Sequence, residues 1–297
     1  MKTLFETEKK QNLIFDVGLH KGEDTDFYLK KGFSVVAFEA DPDLVAECQE
    51  RFREQLESGQ LTIVAGAIVP QEMIDAGQDS VTFYKNADVS VWGTISPNWA
   101  KRNTVHQTSS CEISVPTIDF VDVLQTYGIP RYLKADIEGA DMICIEALKR
   151  FKHKPDYVSI ESSKTSLKEL DNELTVLDSL GYTHFKAVEQ SELHTVQSVP
   201  REAAEGKNTE HVFPDGSSGL FGRELPGTWM TLSGIRRRYR YINLGYYLVS
   251  ERGILPKRYF PGKWKLRGLI CRVLKSFTKG AVPGWYDTHA KHKDAVE

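Results

Sequence analysis

No apolar run in the 297 residues approaches the ~20 needed to span a bilayer. The opening stretch, MKTLFETEKKQN, lacks the apolar core of a secretory leader. Only four cysteines occur, Cys48, Cys111, Cys144 and Cys271, and none forms a CxxC pair. Neither a disulfide framework nor a zinc site is expected, and reduced thiols in the cytoplasm are. The eight histidines show no metal-ligand spacing. No internal repeat appears, which argues against a solenoid. What is present is ordinary for a packed globular chain: 40% hydrophobic and 27% charged residues. The length suits one large domain or one domain with additions.

The net charge of −3 conceals an asymmetry. Residues 231–297 hold 15 Lys/Arg against 4 Asp/Glu, whereas the first 230 hold 23 against 37. A basic, aromatic tail containing RRRYRY (236–241) therefore follows an acidic body. Such a stretch suits nucleic acid, an anionic membrane surface or the acidic body itself, and docking on the body is the expected use. A nucleic-acid partner is not expected.

Strand and helix patterns alternate through residue 188. Strands are expected at 12–17, 34–40, 61–69, 132–137, 156–162 and 182–188, with less regular ones at 80–86 and 111–118, where Pro116 suggests a sheet edge. Helices are expected at 22–32, from Pro42 to about Ser58, and at 95–103, 119–128, 139–151 and 166–181. Asp41-Pro42 reads as an N-cap followed by proline at the first helical position, and Gly32 and Gly181 as stops. This rhythm means an α/β fold with a doubly wound, mostly parallel sheet, complete by about residue 188. Beyond 190, HVFPDGSSGLFGRELPGTW (211–229) reads as an ordered loop or lid, its Phe213, Phe221 and Trp229 offering flat surface to an acceptor. Residues 235–252 look partly helical, and the remainder shows no period. The division is thus 1–190, a cofactor-binding core, and 191–297, a lid and basic extension packed on it. Removing 231–297 is expected to leave cofactor binding intact.

Four signals carry chemistry. Asp16-Val17-Gly18-Leu19-His20-Lys21-Gly22 joins a strand to a helix whose first N–H groups are free. Glycine there lets backbone approach a ligand. The pattern is DxGxxxG, not the GxGxxG of a pyrophosphate loop, and an acid at Asp16 suits a cation such as the amino group of S-adenosylmethionine (SAM). Glu39 ends the second strand 23 residues after Asp16, the place of an acid that accepts from ribose hydroxyls. Ala65-Gly66-Ala67-Ile68 leaves small, apolar residues where an adenine would rest. Lys134-Ala135-Asp136-Ile137-Glu138-Gly139 places three ionisable groups at a strand's carboxyl end, where open α/β sheets bind ligands. Glu138 has a second reading, as a cap for the next helix.

DVGLHKGEDTDFYLKKG, VVAFEADP, LKADIEGADMICIEAL and DYVSIE, in this order and spacing, resemble the FkbM-type SAM-dependent methyltransferases. A weaker echo lies in GSSGLFGRELPGTW. The resemblance covers about 12–187, and KxDxEG is its most specific part. It implies a class I methyltransferase fold with SAM as cofactor. The implied reaction is O-methylation of a hydroxyl on a sugar, polyketide or related small molecule. Carried over, Asp16, Gly18 and Gly22 form the SAM loop with His20, Lys21 and Thr25. Glu39 holds the ribose beside Ala40 and Asp41, and Ala67 meets the base. Asp136 and Glu138 follow the fourth strand.

Removing the hydroxyl proton needs a base, for which Asp136 comes first and Glu161 second, with Lys134 beside them. A divalent cation between Asp136 and Glu161 is a less favoured alternative, since two oxygen ligands make a poor site. His289 would reach the site only if the tail folded back. An NAD-dependent oxidoreductase fits Glu39 but not Asp16 or the missing GxGxxG. A non-catalytic SAM-binding module fits the basic tail but not the retained Lys134, Asp136 and Glu161.

Overall fold

The computed structural model describes residues 4–105, 108–162, 166–190, 193, 199–249, 254, 263–278 and 284–296. Its centre is β1 (Lys9–Val17), which enters from solvent and is buried from Leu13 onward. Beside it lie β2 (Ser34–Glu39) and β3 (Leu61–Ala65) on one hand, and β7 (Ile129–Ala135) and β8 (Tyr157–Glu161) on the other, all parallel. Continuous buried runs, Leu13–Val17 of β1 and the whole of β7, are what a sheet covered on both faces requires. Phe15, Val17 and Leu133 point to one core with α6 (Phe120–Tyr127), α7 (Asp141–Ala147) and α8 (Leu167–Ser179). Ile14, Ala37 and Tyr132 point to a second with α1 (Glu23–Lys30). Alternation sends Asp16 and Lys134, paired in register, to that second face.

The full order is β3-β2-β1-β7-β8-β10-β9, with β9 at Tyr182–Glu189 and β10 at Tyr286–His292. The last strand runs antiparallel to both neighbours, Thr288 facing Ile160 and Ala187. Six of the seven strands are thus parallel to one another and β10 runs against them. This corrects the expectation of a sheet complete by 188: residues 286–292 return from the tail and wedge between β8 and β9. His289 accordingly lies inside the sheet, buried, stacked on Tyr132 at 6.4 Å, and not in the cleft.

Other expectations change locally. The helix opened by Asp41, whose carboxylate accepts from Asp43 N–H, stops at Arg51 as α2 (Pro42–Arg51). Phe52 leaves helical geometry and α3 (Arg53–Glu57) follows. The strand 61–69 breaks at Gly66 (φ +138°), and β4 (Ala67–Ile68) joins a separate sheet ordered β4-β6-β5. Short α4 (Gln71–Asp75), β5 (Ser80–Asn86), α5 (Pro97–Val105) and β6 (Ser110–Ile118) complete that region. Pro116 lies in the middle strand, not an edge strand, because β4 reaches only Thr117 and Ile118.

The 211–229 stretch is no hinged lid. Phe213, Phe221 and Leu225 are buried in the second core, Phe221 stacked on Tyr132 at 4.7 Å. Phe213 and Phe221 are thus not surface for an acceptor, and Trp229 stacks on Tyr157. Buried ion pairs hold the surrounding segment: Lys31 to Glu224 at 2.6 Å, and Arg131 to Glu205 at 2.8 Å and to Asp156 at 3.1 Å. The tail forms α9 (Leu232–Val249) and α10 (Lys263–Thr278), which pack together. Arg236 pairs with Asp171 at 2.7 Å, so part of RRRYRY does dock on the body. Among the described residues no helix is long and apolar enough to cross a membrane.

Candidate active site

The carboxyl ends of β1, β2, β7 and β8 open into one cleft of about 740 Å³. That volume is in the range of sites that enclose a cofactor-sized molecule. Residues 89–95 and 214–218 form its rim.

At the first strand end, Gly18 N–H and Leu19 N–H both donate to the Phe38 carbonyl, at 3.1 and 2.9 Å, and tie the loop to β2. A Cβ on Gly18 would lie 2.0 Å from the Asp136 carbonyl oxygen. This glycine therefore serves the contact between the β1 and β7 loops, where the sequence suggested room for a ligand. Gly22 (φ +81°) likewise seats the Phe52 ring, which a Cβ would meet at 2.3 Å. His20 takes a left-handed conformation (φ 51°) and donates its N–H to Glu39 Oε2 at 2.8 Å. Its Nδ1 is 3.1 Å from Glu23 Oε1 and its Nε2 is 2.8 Å from Ser90 Oγ. With the proton on Nδ1, the ring donates to Glu23 and accepts from Ser90, drawing the rim onto the loop. Burial pushes the Glu23 carboxyl up, and the bond and charge of His20 outweigh it, leaving Glu23 below its ordinary value.

Glu39 also accepts from Ala40 N–H and Asp41 N–H, both at 2.8 Å. Burial pushes its carboxyl above the ordinary value against the pull of the three N–H donors. Its carboxylate lines the cleft with one lone pair to spare for a ribose hydroxyl, since two oxygens offer about four acceptor sites and three are taken. Ala40 and Ala67 line the cleft with it. Lys21, Gly22, Thr25 and Asp41 do not, and they shape the loop from behind. Lys21's carbonyl accepts from Arg51, and Asp41 caps α2.

Asp16 departs most from expectation. It is fully buried beneath the cleft, where Lys134 Nζ donates to its Oδ1 at 3.0 Å and Thr25 Oγ1 to its Oδ2 at 2.6 Å. It anchors Lys134 and does not line the cleft. Lys134 also pairs with Asp24 at 3.2 Å and stands 4.0 Å from Asp136. Burial disfavours the ammonium, but the three acids outweigh it and hold the Lys134 pKa well above its ordinary value. The lysine is a fixed positive charge under an acidic cleft.

Asp136 and Glu161 stand at the ends of β7 and β8 and both line the cleft, with Glu138. Glu138 (φ 48°) and Gly139 (φ +89°) are both left-handed, and a Cβ on Gly139 would strike Trp99 at 2.4 Å. Thr94 Oγ1 donates to the Glu138 carbonyl at 3.0 Å and fixes the rim to this loop. No side chain caps α7, so Glu138 is not its cap. The loop is held instead by Asp141, whose Oδ1 accepts from Ile137 N–H at 2.8 Å. Burial, then the nearby Asp136 and Glu161 charges, drive the Asp141 carboxyl well above its ordinary value.

Sequence reasoning missed several residues. Asp24 read as a first-turn acid, yet it is buried and accepts from Ser218 N–H at 2.9 Å and Gly219 N–H at 3.2 Å. It joins GSSG to the cofactor loop, and the echo of the family pattern there was its only signal. Asp287 and Trp285 line the cleft from the start of β10, for which there was no signal. Among the described residues no group of three or more His, Cys, Asp or Glu is arranged to hold a metal ion.

Comparison with known proteins adds the following. No curated protein matches the chain. Solved structures of low similarity include methyltransferase FkbM from Methylobacillus flagellatus KT, at 18% identity and TM-score 0.36, covering 57% of this chain and 38% of that one. A SAM-dependent methyltransferase from Archaeoglobus fulgidus shares 10% identity at TM-score 0.37, covering 95% and 87%. SMU.1697c from Streptococcus mutans, in complex with S-adenosylhomocysteine (SAH), shares 14% at TM-score 0.31, covering 65% and 85%. This chain thus spans well under half the length of the Methylobacillus protein. The sequence pattern of the methyltransferase FkbM domain matches residues 16–183, more than half of the chain and all four strand ends of the cleft, and the protein therefore belongs to the FkbM methyltransferase family.

Proposed function

We propose that this protein transfers the methyl group of SAM to a hydroxyl of a small, uncharged or cationic acceptor bound in the cleft. The observation that carries the reading is the convergence of Glu39, Asp136 and Glu161 on one cavity within the family match. The cleft fits the cofactor by charge as well as by size. Glu23, Glu39, Asp136, Glu161 and Asp287 line it, and its one lysine is already committed to Asp16 and Asp24. Such a lining favours a sulfonium cation and disfavours a phosphorylated acceptor.

When bound, SAM supplies an electrophilic methyl carbon. Glu39 would hold the ribose, with Ala67 and Ile68 against the adenine. Asp136 orients the acceptor and takes its proton as the oxygen–carbon bond forms and the carbon–sulfur bond breaks. Lys134 stands 4.0 Å from Asp136, and Glu161 is the second candidate base. Residues 89–95 and 214–218 exclude water from the reacting atoms. Positioning of this kind contributes roughly 7–11 kcal/mol in well-oriented reactions.

The test is SAH release from SAM over a panel of hydroxylated acceptors, with Asp136→Asn as the control. Loss of a general base lowers turnover about 10²–10⁴-fold, while SAH affinity by calorimetry stays within a few-fold. A full rate in Asp136→Asn moves the base to Glu161, and failure to bind either SAM or SAH ends the proposal.

A further inference from the structure

The two tail helices carry a surface that the cleft does not use. From residue 231 to 286 the chain has thirteen Lys/Arg and a single acid, Glu251. Helices α9 and α10 contain none of the acids. Arg236 spends its charge on the body through Asp171, while Arg237, Arg240, Lys265 and Arg272 are exposed.

The same helices expose large apolar side chains in a pattern. On α10, Leu266, Leu269, Val273 and Phe277 recur at spacings of three and four and so share one face. All four are exposed, Leu269 by 53% and Phe277 by 58%. Leu274 faces inward against Val249 of α9. The stripe continues onto α9, where Tyr241 stacks on Phe277 at 5.6 Å and Leu244 and Tyr247 are exposed, the latter by 62%. Exposed Lys265 and Arg272 flank it on α10. A contiguous apolar face on a folded monomer is costly in water and marks a docking surface.

We infer that this face docks on an anionic membrane surface, with α9 and α10 lying in the plane of the headgroups. The charge decides the occupant. A second copy would bring two strongly basic faces together, and a purely electrostatic partner such as nucleic acid has no use for the leucine stripe. Anionic lipid satisfies both, because apolar side chains enter the acyl boundary while Lys and Arg meet the headgroups. The absence of any membrane-crossing helix among the described residues agrees with lying on the surface. The geometry also gives the docking a purpose. Tyr246 of α9 donates its hydroxyl to the Gly284 carbonyl, and Trp285, next in the chain, lines the cleft. Tyr246, on the inward side of α9 and away from the stripe, thus ties the docked helix to the wall of the cleft, toward which an acceptor held at a membrane would be delivered. That last step rests on the proposed methyl transfer, and the docking itself does not.

Flotation of the full chain with vesicles tests the docking without any activity assay. Binding to phosphatidylcholine–phosphatidylglycerol vesicles (about 2:1) is expected, and at least about tenfold weaker binding to phosphatidylcholine alone. Leu269→Glu/Phe277→Glu should abolish flotation, and Lys265→Ala/Arg272→Ala should weaken it about tenfold or more, with SAH titration and circular dichroism unchanged in both. Equal binding to neutral vesicles, no binding to either, or a dimer that the double glutamate variant dissociates would overturn the proposal. So would binding of single-stranded RNA that survives the double glutamate variant while vesicle binding is absent. Docking without methyl transfer would leave this inference standing and remove the previous one.

Discussion

At Gly18 a Cβ would lie 2.0 Å from the Asp136 carbonyl oxygen, at a φ of +93°. Gly18→Ala is therefore expected to cost about 3 kcal/mol of stability, of which about 1–2 is the left-handed backbone and the rest the forced separation of two loops. It should also weaken SAH binding, because the Asp136 loop moves. A urea midpoint within error of wild type would sink this account. The residue type was legible from the sequence, but its reason was not, since the partner backbone lies 118 residues away. Asp16 and Lys134 teach the same lesson: both were marked as chemical, and only the register of β1 with β7 makes one the anchor of the other. His289 carries a prediction in pH. It is buried with neither ring nitrogen bonded to a described residue, and burial, with the Lys186 charge, pushes its pKa to about 3. The folded state thus prefers neutral imidazole, so stability is full above about 6.5 and is lost as pH falls toward 3. Between pH 7 and 5 the loss is about 2 kcal/mol. His289→Phe keeps the ring against Tyr132 and removes the proton, so its urea midpoint should fall less over that interval. Identical falls in the two proteins would show that His289 is not the group.

At the level of elements, β1, α1, β2 and α2 could be read because each announces itself locally: an apolar run, first-turn acids, an aspartate cap, a proline at the start. Strand β10 could not. YDTHAKH alternates polar groups that a local reading assigns to solvent, and its burial depends on two strands about a hundred residues or more earlier. The 211–229 stretch misled for the opposite reason. It read as a loop or lid with its aromatics offered to an acceptor, while Phe213 and Phe221 fill the core under α1. Placing β10 inside the sheet reverses the expected effect of truncation. A chain ending at residue 283 leaves the facing edges of β8 and β9 without their shared partner, and buried backbone groups without bonds are expensive. That chain is expected to show no cooperative melt by circular dichroism and no heat on SAH titration. A truncated protein that melts cooperatively and binds SAH would mean the sheet closes without its last strand.

Over the whole molecule, charge is segregated: the cleft is lined by acids and the tail helices carry bases and no acid. The segregation was visible as a difference in composition, but its geometry was not, because the tail threads back through the acidic sheet. A focused negative cleft acts on a ligand through the ligand's net charge. SAM carries one more positive charge than SAH and is otherwise nearly the same size and shape. The pair is thus a built-in probe of the field, since their shared contacts cancel in the ratio of affinities. At low ionic strength the acids around Glu39 and Asp136 act together. At about 0.1 M salt the screening length is already ~10 Å, and acids farther than that from the ligand's charge drop out. The ratio of SAM to SAH affinity is therefore expected to fall by about threefold or more as salt rises from roughly 20 to 300 mM. Calorimetric titrations of both ligands at several salt concentrations measure it directly. If the two affinities decline in parallel, the cleft discriminates by local contacts at the sulfur alone, and the argument from its acidic lining to an uncharged or cationic acceptor fails with it.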